Sequence, residues 1–86
     1  MEILNIRTAS EQDVEMLIKK VQKDFKDVDV DNLYIIEFTE QELHDHKEFD
    51  DGYQSVEDLL DEWNYGSGYG YLKLNSGNFL YATCHW

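Results

Sequence analysis

Apolar positions fall at Val14, Leu17, Ile18, Val21 and Phe25, the i, i+3, i+4, i+7, i+11 spacing of one buried helical face. Two capping boxes compete for the start of that helix, Thr8 with Glu11 and Ser10 with Asp13. Ahead of it, residues 2–7 supply Ile3, Leu4 and Ile6 and predict a short strand. Residues 33–38 are β-branched and aromatic and predict a buried strand. Thr39 and Glu42 form another capping box, opening a helix expected to run to about Phe49, where Asp50, Asp51 and Gly52 break it. Ser55 with Asp58 caps a third helix whose apolar face is Val56, Leu59, Leu60 and Trp63, and Gly66 is placed to end it. Residues 69–74 and 79–86 predict a hairpin turning at Asn75, Ser76, Gly77 and Asn78. Alternation puts Leu80, Ala82, Cys84 and Trp86 on one face of its last strand and Phe79, Tyr81, Thr83 and His85 on the other.

The expected order is β-α-β-α-α-β-β. The fold class is α+β, with helices packed on one face of a mainly antiparallel sheet that ends in a C-terminal hairpin. At 86 residues the chain has material for one core, so residues 1–86 are read as a single domain. Apolar residues at 42% and aromatics at 14% suffice to fold it. No apolar run approaches the roughly 18 residues that span a bilayer, and residues 1–5 lack a signal-peptide pattern. A cytoplasmic protein is expected, in the host cytoplasm if the chain is phage-encoded. Cys84 is the sole cysteine, which leaves no internal disulfide and favours a small buried hydrophobe over a reactive thiol.

Charge changes the picture. Nineteen acids against seven bases give a formal net charge of −12. Residues 1–26 carry five of each sign, residues 27–62 carry fourteen acids and one base, Lys47, and residues 63–86 carry only Lys73. The whole excess therefore resides in the middle segment. Such a field repels nucleic acid and anionic membranes and attracts basic surfaces.

Familiar chemical motifs fail on inspection. Asp27, Asp29 and Asp31 have the spacing that opens an EF-hand loop, but Asn32 stands where the turn glycine belongs and Glu37 falls one place before the bidentate glutamate. His44 and His46 point to different sides of a helix, and His44 with Glu48 supplies two ligands where a site needs more. Cys84 and His85 alternate onto opposite strand faces, so they form no nucleophile and base pair. The glycines at 66, 68 and 70 lead into a strand and lack the Lys-Ser/Thr of a phosphate loop. No catalytic residue, metal site or cofactor is expected, and the chain is read as a binding protein, not an enzyme.

One constellation remains. Glu57 and Asp61, and Asp58 and Glu62, stand one turn apart and place two rows of carboxylate beside the third helix's apolar stripe. Glu40, Glu42, Asp45 and Glu48, then Asp50 and Asp51, extend these rows into an expected negative surface, with Tyr65 and Tyr69 as aromatic anchors beside it. The rows repeat at about 5.4 Å along a helix axis, of the same order as the roughly 3.4 Å rise of phosphates on one DNA strand. The bland counterpart is an acidic surface kept for solubility. In size, charge and want of catalytic apparatus the chain is similar to phage-encoded DNA mimics: anti-CRISPR proteins, anti-restriction proteins and inhibitors of uracil-DNA glycosylase. The similarity carries no motif and assigns no residue. It implies a small inhibitor whose acidic face occupies the basic groove of a nuclease or other nucleic-acid-binding protein. The alternatives are an immunity protein that neutralises a basic nuclease toxin, an acidic metal-responsive domain using Asp27, Asp29 and Asp31, and an adaptor whose acidity is incidental.

Overall fold

A computed structural model describes residues 1–46, 52–64, 66 and 68–84. Strand β1 (Glu2–Leu4) stops early because Asn5 turns the chain with φ of 53°, in the left-handed region that asparagine tolerates. Helix α1 (Glu11–Asp24) adopts the Ser10 register: the Asp13 amide donates to Ser10 Oγ at 3.2 Å and the Ser10 amide to Asp13 Oδ2 at 2.9 Å. Thr8 is not free to cap it, because its amide and hydroxyl both donate to Glu37. A single 3₁₀ turn (Val30–Asn32) leads to β2 (Tyr34–Phe38), then α2 (Glu40–His44), α3 (Val56–Trp63), β3 (Gly68–Lys73) and β4 (Phe79–Thr83).

The expected α+β order is observed, and the chain ends in the expected hairpin. The four strands form one mixed sheet in the order β1-β2-β4-β3. Parallel strands cannot be joined by a tight turn, so α1 carries the chain between the parallel pair β1 and β2. The β2–β4 and β3–β4 pairs are antiparallel.

Helices cover both faces of this sheet, where the sequence pattern suggested one. Val14, Leu17 and Val21 of α1 pack on Ile35, Leu80 and Ala82. On the opposite face Leu43 of α2 and Val56, Leu59 and Leu60 of α3 pack on Phe79 and Tyr81. The cause lies in β4, a central strand whose five residues are all buried. A strand apolar on alternate sides without a break needs cover on both. Helix α2 is also shorter than expected, ending at His44; Lys47, Glu48, Phe49, Asp50 and Asp51 lie outside the described residues.

Glu37 is fully buried in β2, on the face that α1 covers. Its Oε1 accepts from the amides of Arg7, Thr8 and Ala9, each at 2.9 Å, and its Oε2 accepts from Thr8 Oγ1 at 2.9 Å and Asn78 Nδ2 at 2.7 Å. One carboxylate thereby ties the segment entering α1 to the sheet and to the β3–β4 turn. Burial pushes its pKa up, but the Asn78 amide and the amides of residues 7, 9 and 8 outweigh it and hold the group at about 2.

Gly68 opens β3 under the ring of Tyr81. A Cβ added there would lie 2.3 Å from the Tyr81 hydroxyl and 2.9 Å from Asn64 Oδ1. Gly68→Ala is therefore expected to lose on the order of 1–3 kcal/mol, the usual range for overpacking, read as a lower urea midpoint with an unchanged slope. A variant as stable as the parent would show that Tyr81 yields without strain.

Candidate partner-binding surface

The four acids of α3, all outside its apolar stripe, form one ridge. Ser55 caps the helix by accepting from the Asp58 amide at 3.2 Å, and Val56, Leu59 and Leu60 fix its rotation against the sheet. That rotation leaves Asp58, Asp61 and Glu62 exposed and Glu57 half-buried. Glu57 faces Lys73 of β3 across 3.8 Å, a surface pair with both side chains about half exposed and of small energetic weight. Among the described residues, Asp58, Asp61 and Glu62 make no ion pair with a lysine or arginine.

Tyr71 marks where the ridge meets the sheet edge. Burial first, then the Asp61 carboxylate that accepts from its hydroxyl, then the charges of Asp61, Glu57 and Asp58, push its pKa up to about 12. Three carboxylates thus act on one phenol, placing Glu57, Asp58 and Asp61 around the outer side of β3. The Tyr71 carbonyl, on the free edge of the sheet, accepts from Lys20 Nζ at 2.8 Å, and the same ammonium lies 5.2 Å from the Tyr71 ring centroid. A lysine held on an edge strand blocks pairing with another chain.

The α2 acids are used differently. Glu42 caps its own helix, accepting from the Thr39 amide at 2.9 Å, and its carboxylate accepts from the two terminal guanidinium nitrogens of Arg7. The bond from Arg7 and then the Thr39 amide hold Glu42 at a pKa of about 2. Arg7 neutralises it, so its role is to tie α2 to the chain before α1. Glu40 and Asp45 are exposed, and Asp45 accepts from Gln41 Nε2 at 3.0 Å. Glu48, Asp50, Asp51 and Tyr65 lie outside the described residues.

Tyr69 stands on the α1 side of the sheet, away from α3. The β3–β4 register shifts between Gly68 and Gly70, a bulge with Tyr69 as its extra residue. Gly70 then pairs with Ala82 on the α1 face and Tyr71 with Tyr81 on the α3 face. Tyr69 packs edge-on against Phe25 at the end of α1, with ring centroids 5.0 Å apart.

The run Asp27, Asp29 and Asp31 does not converge on a metal site. Asp29 turns onto its own 3₁₀ turn, accepting from the Asp31 amide at 3.2 Å and from Asn32 Nδ2 at 2.5 Å. Among the described residues, no three acidic, histidine or cysteine side chains gather to hold a metal ion. Nor, among them, is any helix long and apolar enough to cross a membrane. Glu37 and Lys20 are the residues whose roles the sequence pattern missed, one as a clamp and one as an edge guard.

Comparisons with known protein families, with curated proteins and with solved structures find no match.

Proposed function

We propose that the chain is a small inhibitor that seats the α3 ridge in the basic groove of a nuclease or other nucleic-acid-binding protein, with carboxylates occupying phosphate positions. The observation that carries this reading is the division of labour among the acids. Glu37 and Glu42 are consumed by the fold, whereas Asp58, Asp61 and Glu62 are exposed on one helix and, among the described residues, make no ion pair with a lysine or arginine. The second observation is spatial. Of the lysines of the N-terminal third, Lys19 and Lys23 ride on α1, across the sheet from α3, while Lys20 reaches the β3 edge at Tyr71. Most of the charge separated along the sequence is thus separated between two layers.

Like charges one turn apart cost a helix about 0.2–0.5 kcal/mol per pair, and Asp61 and Glu62 sit at the helix end where the macrodipole disfavours anions. A surface kept only for solubility has no need of this arrangement. The mechanism is competitive: the bound ridge and a nucleic acid exclude each other from the same groove.

Salt sensitivity provides the test. Binding of the chain to a basic partner captured from a bacterial lysate is expected to weaken at least ~10-fold between low and physiological ionic strength, as attractions between exposed opposite charges are screened. A complex whose affinity is unchanged over that range would rule out the ridge as the main point of attachment.

A further inference from the structure

Phe25 caps the end of α1 yet remains 39% exposed, an unusual position for a phenylalanine so close to the core. Beside it, the β3 bulge turns Tyr69 out of the strand's regular alternation and onto the α1 side of the sheet. The two rings meet at 82° and form two walls of an open hollow of about 290 Å³, whose remaining lining is Lys26, Asp27 and Val28. Among the described residues, the cations seated over rings are Lys20 on Tyr71 and Lys73 on Phe79. Neither ring of the hollow has one.

An aromatic face with a carboxylate beside it is a chemistry that receives a cation. Asp27 belongs to the acidic stretch that Asp29 and Asp31 continue, and among the described residues it makes no ion pair. A guanidinium suits the place better than an ammonium. It is planar, weakly hydrated, stacks on aromatic faces and offers paired N–H donors to a carboxylate.

We infer that the Phe25–Tyr69 hollow receives an arginine side chain of a protein partner, its guanidinium over one of the two rings and its donors toward Asp27. The inference rests on the reading of a basic partner and extends it. The hollow and the α3 ridge lie on opposite sides of one sheet edge, with Tyr69 and Tyr71 two residues apart on β3, so a partner straddling that edge reaches both. Lys26, on the rim, opposes the incoming charge and weakens the site.

The test uses the whole chain and N-acetyl-arginine N-methylamide, followed by NMR at the Phe25 and Tyr69 ring protons. Saturable shifts are expected, with a dissociation constant on the order of 1–10 mM for one side chain. The uncharged citrulline analogue should bind about 5-fold more weakly or not at all. Asp27→Asn, an exposed substitution, should weaken binding by about 3–10-fold, and Lys26→Ala should strengthen it about 2-fold. Equal responses to the arginine and citrulline probes, or no saturable shift at these rings, would overturn the inference. Because the probe needs no partner and the readout sits away from α3, such a failure leaves the proposed function of the ridge to its own test.

Discussion

Glu37→Gln is expected to destabilise the fold by on the order of 3 kcal/mol, the range for breaking a buried charge out of its hydrogen-bond shell. A glutamine keeps the shape but replaces one acceptor oxygen with an NH₂ group. In either orientation that NH₂ faces donors, since both oxygens of Glu37 accept bonds, Oε1 from three amides and Oε2 from Thr8 and Asn78. The loss spreads over three places, because the segment before α1, strand β2 and the β3–β4 turn meet at that carboxylate. The same group, together with Glu42, gives stability its acid limb. Its folded pKa of about 2 lies below that of an unfolded glutamate, so the folded state gains from ionisation. That gain is complete above the ordinary carboxylate range and is lost as pH falls toward about 2. Urea midpoints of the parent should therefore drop over this window, and those of Glu37→Gln should drop less. Equal slopes in the two proteins would show that another group governs acid unfolding.

The second large effect concerns binding. Asp58→Lys with Asp61→Asn and Glu62→Lys is expected to weaken partner binding by roughly 100-fold or more, since breaking a desolvated charge pair across an interface costs about 2–5 kcal/mol. Asparagine is chosen at position 61 because that side chain lies beside the Tyr71 hydroxyl, and an amide oxygen keeps an acceptor there. A lysine there would strip a half-buried phenol of its partner and confuse folding with binding. Lysine at position 62 suits the end of α3 better than glutamate does and offsets what lysine at position 58 costs in the first turn, so the thermal midpoint of the triple variant should stay near that of the parent. Undiminished binding by this folded variant would remove α3 from the interface.

The helices were legible because each advertises a stripe and a cap. Val14, Leu17 and Val21 announce α1, and Ser55 with Val56, Leu59 and Leu60 announces α3, as the structure bears out. The disposition of the helices was less legible because two stripes do not say which face of a sheet each will cover. The uninterrupted burial of Phe79 to Thr83 held that information, but alternation alone hid it. Tyr69 left its expected place because a bulge shifts every later side chain by one position, and a bulge between glycines leaves little trace in a hydrophobic pattern. Glu37 did leave a signal. A lone acid inside an apolar strand is rarely buried without partners, but those partners are backbone amides some thirty residues away and carry no sequence mark. The acids of the ridge could be named from their spacing. Which acids the fold consumes depended on where Arg7 and Lys73 arrive, and that is a property of the tertiary structure.

Competition with nucleic acid decides whether the ridge occupies the groove where nucleic acid binds. A partner already bound to the chain would be titrated with duplex DNA and with RNA at fixed ionic strength, and the bound fraction followed. Displacement in proportion to nucleic-acid concentration is expected, with no ternary complex, and easier displacement of the triple variant's residual binding. A stable complex of partner, chain and nucleic acid together would contradict it.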